Sequence, residues 1–265
     1  MLFRSTEMKK HRSQLLWRCV ILISIAIGAP SVQGMEYIPL PSGTLNSALA
    51  RDSDKLGQGP IVISAFSMRE TPVTQKEFAQ FTATHPQWQR RKIPRTFADA
   101  NYLKNSENAK PNSAVVYVSW FAAQAYCESE HARLPTWDEW EYVAAADSTR
   151  RDARNDPSWL QRILGWYAQP ASKALPAVGG EANVFGIRDI HGMVWEWVDD
   201  FNALLVDGDS RSGDDPEKLK FCGAGAINFQ DRMNYAVLMR IALLSSLSAD
   251  ASTGSLGFRC VKDLP

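Results

Sequence analysis

The sequence predicts a single α+β domain over residues 35–265, poor in regular secondary structure. Three observations lead there. Helix signals are few, short and capped, and they lie between brief apolar runs. Turn formers are spread over the chain, with 16 Gly and 14 Pro. Nine Trp are scattered among them, as loops pinned by aromatic side chains require. A doubly wound sheet would need regular alternation of strand and helix, which is absent. No internal repeat is visible. The 265 residues are 45% hydrophobic and 22% charged, an ordinary globular composition.

Residues 1–34 stand apart. Lys9, Lys10, Arg12 and Arg18 precede "CVILISIAIGA", an apolar run of signal-peptide length. It is shorter than a membrane span needs. "SVQG" places Val32 and Gly34 at small-residue cleavage positions. The expectation is a 1–34 signal peptide, export through a bacterial inner membrane, and a periplasmic product with no membrane association. An uncleaved anchor is the alternative. Removing the leader takes Lys plus Arg from 29 to 24 and Asp plus Glu from 29 to 28, a net charge of −4. A mildly acidic protein offers no general electrostatic case for nucleic acid or anionic lipid. Cys127, Cys222 and Cys260 remain, enough for one disulfide and one leftover thiol.

The elements follow in order. "MEYIPLPSGTL" reads as an opening strand, and Ile61 to Phe66 as a second. Thr74 and Glu77 form a capping box for a helix buried on Phe78 and Phe81 and ended by Pro86. Residues 85–113 read as a wrapping loop tied down by Trp88, Phe97 and Tyr102. "AVVYVSW" reads as a short buried strand. Ser119 caps the next helix, "WFAAQAYCESEHA". Thr136 and Glu139 form a second capping box, with Trp137, Trp140 and Val143 or Ala144 facing inward. The stretch from Arg151 to Asn183 reads as turns. "VFGIRDIHGMVWEWVDDF" reads as short strands around tight turns, "LLVDGDSRSGDDPEKLK" as an acidic loop, "FCGAGAINF" as an apolar, glycine-rich return, and "LGFRCVKD" as a closing strand.

Four stretches in one order carry a resemblance: "ETPVTQKEFAQF", "VVYVSWFAAQAYCESEHARLPTWDEWEYVAAA", "NVFGIRDIHGMVWEWVDDF" and "SLGFRC". They resemble the sulfatase-modifying-factor superfamily, home of the formylglycine-generating enzymes. The resemblance covers nearly all of residues 35–265. It implies one irregular domain of the C-type-lectin-like group, with little regular secondary structure. In such domains the VWEW segment forms core around buried carboxylates. Trp195 and Trp197 are therefore expected to be structural. Glu196 is expected to be ion-paired, with Arg133 or Arg259 as partner. The resemblance also implies a Cys127–Cys260 disulfide, worth about 4 kcal/mol in the chain-entropy model.

The superfamily's oxidases hold Cu(I) between the thiolates of a Cys-x4-Cys pair that lies before the GFR strand. Thiolates select Cu(I) by softness. Here Asn228 and Ala236 stand where that pair belongs, so dithiolate copper oxidation is not expected. Met193 replaces an Asn that offers oxygen to Ca²⁺, so calcium is disfavoured. Asn183 and Asp189 remain as oxygen donors to such an ion, but turn capping is the favoured reading of both. Cys222, with Met233 and Met239, is either a soft Cu(I) cluster or an inert core thiol beside two methionines. His191 reads as a surface turn histidine, or else as a metal ligand or titrating group.

"CGAGA", "HGMVWEWVDDFN", "FADANYL" and "MRIALLSSLSA" resemble an exported branch found beside copper nitrite reductases and copper-delivery proteins. In that branch Arg240, Ser245 and Ser246 line the substrate cleft. Arg240 and Ser245 thus join Cys222 as candidate catalytic residues, although Ile241, Leu243 and Leu244 make the stretch apolar. The resemblance implies an accessory or maturation factor with a periplasmic protein partner, and copper as its metal. A superfamily oxidase with another metal arrangement, of the formylglycine-generating or siderophore-maturation type, is the first alternative. A non-catalytic binding module is the second.

Overall fold

Four of the five described helices begin where a side chain serves the free N–H groups of the first turn. The computed structural model describes residues 1, 36–47, 60–104, 106–168, 174–203 and 235–264. By its contacts the chain divides into Met1–Gly34 and Met35–Pro265, and the fold is that of the second unit. Helix α1 (Gln75–Thr84) starts at the Thr74–Glu77 capping box, and α3 (Trp137–Ala144) at the Thr136–Glu139 box. At α2 (Trp120–Ser129) the Ser119 hydroxyl accepts from the Ala122 N–H.

Helix α4 (Pro157–Tyr167) corrects the reading of Arg151–Asn183 as turns only. Asp156 accepts from the N–H groups of Ser158 and Trp159, and Pro157 occupies the first turn, where its missing N–H costs nothing. Trp159 and Ile163, four apart, bury one face of α4 in a small core of their own with Ala153. Helix α5 spans Tyr235–Ser245.

The strands are short and change partners. β1 (Tyr37–Leu40), β4 (Phe66–Arg69) and β7 (Val261–Asp263) form an antiparallel sheet with β4 in the centre. Tyr37 lies opposite Arg69, and Phe66 opposite Asp263. β2 (Gly43–Leu45) pairs antiparallel with β3 (Ile61–Ile63). β5 (Trp195–Glu196) pairs parallel with β6 (Leu256–Gly257).

Three expected strands are therefore corrected. Ile61–Phe66 is split, because residues 61–63 serve one sheet and 66–69 the centre of another. The closing strand is split in the same way around Phe258, Arg259 and Cys260, each fully buried. There the Val73 N–H donates to the Phe258 carbonyl and the Arg69 N–H to the Cys260 carbonyl, both at 3.0 Å. "AVVYVSW" makes isolated bridges rather than a strand. Val115 N–H donates to Val73, Tyr117 N–H donates to Thr253, and Tyr117 sits at φ 59°. Near this crossing a Cβ on Gly257 would lie 2.5 Å from the Val115 carbonyl oxygen, so only glycine admits the approach.

The wrapping loop is held as its aromatics suggested for Tyr102, which is buried and donates to the Trp88 carbonyl at 2.9 Å. Phe97 is 41% exposed. A disulfide joins Cys127 on α2 to Cys260, both buried beside the Phe78, Tyr126 and Phe258 rings. The acidic loop from residue 204 and "FCGAGAINF" lie outside the described residues.

Candidate functional site

The answer to what surrounds Glu196 comes from four elements that meet at its carboxylate. Glu196 is fully buried on β5. Arg259 Nε reaches Glu196 Oε1 at 3.1 Å and Oε2 at 2.9 Å, and Nη2 reaches Oε1 at 2.8 Å. The remaining donors of Arg259 go to the carbonyls of Arg69, Glu70 and Arg188. One guanidinium thus ties two other chain segments to the carboxylate, and its bonds to Glu196 are fully buried, where charge-assisted bonds are strongest. Trp140 on α3 adds its indole N–H to Glu196 Oε2 at 2.8 Å.

Arg133 is not the partner of Glu196. Its guanidinium grips Glu139 with two bonds of 2.7 Å and reaches Asp263, which together raise its already high pKa. Glu139 is six residues away and half of the α3 capping box, so Arg133 is committed locally. Trp197 is buried and donates from its indole to the Val118 carbonyl at 2.9 Å. Trp195 is half-buried, with its ring centroid 5.5 Å from that of Trp166.

Arg240 lies over this network. It is 1% exposed, donates from Nη2 to the Glu196 carbonyl at 2.6 Å, and stacks 3.4 Å from the Trp140 ring centroid. Such a desolvated cation–π contact contributes about 2 kcal/mol. Ser245 follows five residues later, near the end of α5, so it sits well around the helix from Arg240. Its Oγ is buried with no hydrogen-bond partner among the described residues. Ser246 is exposed and donates to the Leu243 carbonyl. Met239 is 38% exposed. Cys222 and Met233 lie outside the described residues.

His191 is a half-buried histidine rather than an exposed one on a surface turn. Its ring meets Trp140 and Trp159 edge-on, with centroids 5.7 and 5.6 Å away. Nε2 lies 2.8 Å from the Ala144 carbonyl, so Nε2 carries the proton and donates. That leaves Nδ1 as a buried lone pair with no partner among the described residues. Burial first, then the charges of Arg240, Arg162 and Arg259, push the ring pKa down to about 4. The native state therefore binds fewer protons than the unfolded chain between pH 6.5 and about 4. Stability should fall as pH drops through that window, by about 3 kcal/mol, and level off below it. Denaturant melts of the wild type and of His191→Gln across that range should differ by this slope. Parallel slopes would refute the assignment.

Between Trp140, Trp159, His191 and Arg240 the packing leaves a void of only about 10 Å³. On the far side of His191 a cavity of about 220 Å³ opens, lined by Asp147, Arg162, Glu181, Asn183 and Asp189. Asp189, at φ 57°, accepts from the N–H groups of Gly179 and Gly180. Asn183 caps the turn beneath by accepting from Phe185 and Ile187. Among the described residues, no three His, Cys, Asp or Glu side chains gather to hold a metal ion.

Sequence reasoning missed two further buried pairs. Arg69, 3% exposed, joins Glu77 at 2.6 Å and Glu130 at 3.1 Å. Glu141, 2% exposed, takes Arg154 at 2.9 Å and the Trp137 indole at 2.7 Å. The Trp137–Glu141 spacing of four on α3 was the available signal.

Short strands that swap sheets, capped helices and a buried Glu–Arg–Trp knot define a single domain of the formylglycine-generating-enzyme type. The chain belongs to the family of the sulfatase-modifying factor enzyme 1-like domain, which it matches over residues 27–264. It is similar to the formylglycine-generating enzyme of Streptomyces coelicolor, 32% identical over 58% of this chain and 54% of that one. It is also similar to the inactive C-alpha-formylglycine-generating enzyme 2 of Mus musculus, 25% identical over 86% of each chain. Among solved structures it resembles variable protein 1 of Treponema denticola, at 16% identity and TM-score 0.48, covering 86% of this chain and 95% of that one. The match spans about half the length of several formylglycine-generating enzymes.

The donor set does not suit the dithiolate copper centre that such enzymes imply. Of the three cysteines in residues 35–265, Cys127 and Cys260 are bonded to each other. Cys222 alone remains, one thiolate where the dithiolate centre takes two.

Proposed function

We propose that this chain is an exported accessory or maturation factor for a periplasmic enzyme of the copper and denitrification kind, and that it does not oxidise cysteine. The thiol inventory carries the reading. With the Cys127–Cys260 disulfide formed, one thiol is left where a formylglycine-type centre requires two. The mouse relative described as inactive, matched over 86% of this chain, supports the same side. Arg240 supports it too, since its guanidinium is committed to the Glu196 carbonyl and the Trp140 ring rather than to a substrate.

The test is to supply residues 35–265 with Cu(I), oxygen and a sulfatase-derived cysteine peptide, and to follow the peptide by mass spectrometry. The expected result is unchanged cysteine. Conversion to the aldehyde at a rate above that of free copper overturns the reading. The copper part has its own arm. Anaerobic Cu(I) titration should show stoichiometric uptake that is lost in Cys222→Ser. Equal uptake by both forms removes copper from the proposal.

A second reading, a superfamily oxidase with another metal arrangement, has one observation in its favour. The cavity of about 220 Å³ reaches His191, whose Nδ1 lone pair has no partner among the described residues. Oxygen uptake by the metal-supplemented chain, abolished in His191→Ala, would decide for it.

A further inference from the structure

We propose that the turn segment from Trp88 to Phe97 is a docking surface for an acidic face of a partner protein. The idea builds on the accessory-factor reading only in taking the partner to be a protein. It starts from charge. Between Trp88 and Lys104 stand Arg90, Arg91, Lys92, Arg95 and Lys104, against Asp99 alone. Residues 35–265 carry a net charge of −4, so this is a local reversal of sign.

Arg90, Arg91, Lys92 and Arg95 are all exposed. Among the described residues none of the four takes part in an ion pair. Asp99, the one carboxylate within residues 88–104, is occupied elsewhere: it accepts from the Ser252 hydroxyl at 2.7 Å and from the Ser252 and Asn101 N–H groups. Four like charges within six residues repel each other, and nothing described here offsets that cost. An external anion would.

The segment is held in shape. Lys92 and Ile93 N–H groups both donate to the Gln89 carbonyl, and the Phe97 N–H to the Pro94 carbonyl. The Gln89 side chain donates to the Thr82 carbonyl, and Tyr102 clamps the Trp88 carbonyl. The cations are therefore presented on ordered turns, and less entropy is lost when they bind.

An aromatic row lies beside them. Phe97, 41% exposed, packs 5.2 Å from Phe121 and 6.2 Å from Trp88, and Phe121 meets Trp120 at 5.6 Å. Arginine next to a supported aromatic ring is the composition of interface hot spots. Guanidinium forks match carboxylates with two parallel bonds.

A lipid surface fits less well. Phe97, 41% exposed, is the one exposed ring of the row, and Trp88, Trp120 and Phe121 are half-buried, so little apolar area could insert. The acidic remainder of the domain would also be repelled by anionic headgroups.

The test uses residues 35–265 and a fluorescent, unstructured peptide in which Glu and Asp alternate with Leu and Phe. Binding is read by anisotropy at low and physiological salt. The wild type should bind, and an analogue with Gln and Asn for the acids should not. Arg90→Ala/Arg91→Ala/Arg95→Ala should weaken binding by about tenfold and flatten its salt dependence. Phe97→Ser should weaken it severalfold at both salt levels. Removing exposed cations elsewhere, at Lys76, Lys110 and Arg151, should change it less than twofold. All of these positions are at the surface, and a thermal melt of each variant verifies folding. Absence of binding, equal loss in the control triple, or stronger recruitment to phosphatidylglycerol vesicles than to the peptide overturns the proposal. None of these outcomes bears on the aldehyde assay, which decides the accessory-factor reading separately.

Discussion

Glu196→Ala should cost about 3–5 kcal/mol of stability, because it strands the Arg259 guanidinium in a fully buried site. Arg259 and Glu196 are both 0% exposed, so no solvent can take over for the missing carboxylate. The indole N–H of Trp140 loses its acceptor at the same time. In a domain of this size the melting temperature should fall by roughly 6–20 °C. That is a large part of the whole stability of an ordinary domain, about 5–15 kcal/mol. The double variant Glu196→Ala/Arg259→Met should lose less than the two single losses added together, since no unpaired charge remains. Thermal melts followed by near-ultraviolet circular dichroism of the tryptophans measure all three. A loss below 1 kcal/mol for Glu196→Ala would mean that the knot around β5 does not hold the fold.

Cys127→Ala/Cys260→Ala should cost about 4 kcal/mol, chiefly by freeing the unfolded chain. The bridge closes a loop across a sequence separation of 133, tying the middle of the domain to its last strand. Both cysteines are fully buried, so dithiothreitol should act slowly on the native state and quickly in denaturant. Thiol titration of the denatured, unreduced residues 35–265 should return one thiol, that of Cys222. Three thiols, or a double variant as stable as the wild type, would remove both the bridge and the argument from thiol inventory built on it.

Much of the fold was legible because its signals are local. Thr74 with Glu77 and Thr136 with Glu139 satisfy backbone donors within three residues, so no distant chain is needed to read them. α4 carried an equally local signal in Asp156, Pro157 and the Trp159–Ile163 spacing, but the Gly- and Pro-rich chain after it masked the pattern. Strand limits were not legible. Residues 61–69 and 256–263 each mix apolar with polar residues along one run, and hydropathy cannot say where one sheet hands over to the next.

The site divides in the same way. Glu196, flanked by two tryptophans, announced a buried carboxylate needing a cation, but Arg133 and Arg259 are the same residue type and composition could not choose between them. The choice fell to Arg259 because β6 pairs with β5 and leads directly into it, whereas Glu139 holds Arg133 from six residues away. His191 read as a turn residue at the surface. Only the packing of α3 and α4 around it turned it into a neutral ring with an unshared lone pair.

The amino-acid order by itself determined the starts of α1, α2 and α3, the family motifs and the shortage of thiolates, since each depends on neighbouring residues or on a simple count. Tertiary structure alone decided which arginine neutralises Glu196, where the strands break, and that the guanidinium of Arg240 lies flat on Trp140. These are contacts between segments far apart in the chain, and their energy comes from excluding water, which no local pattern records.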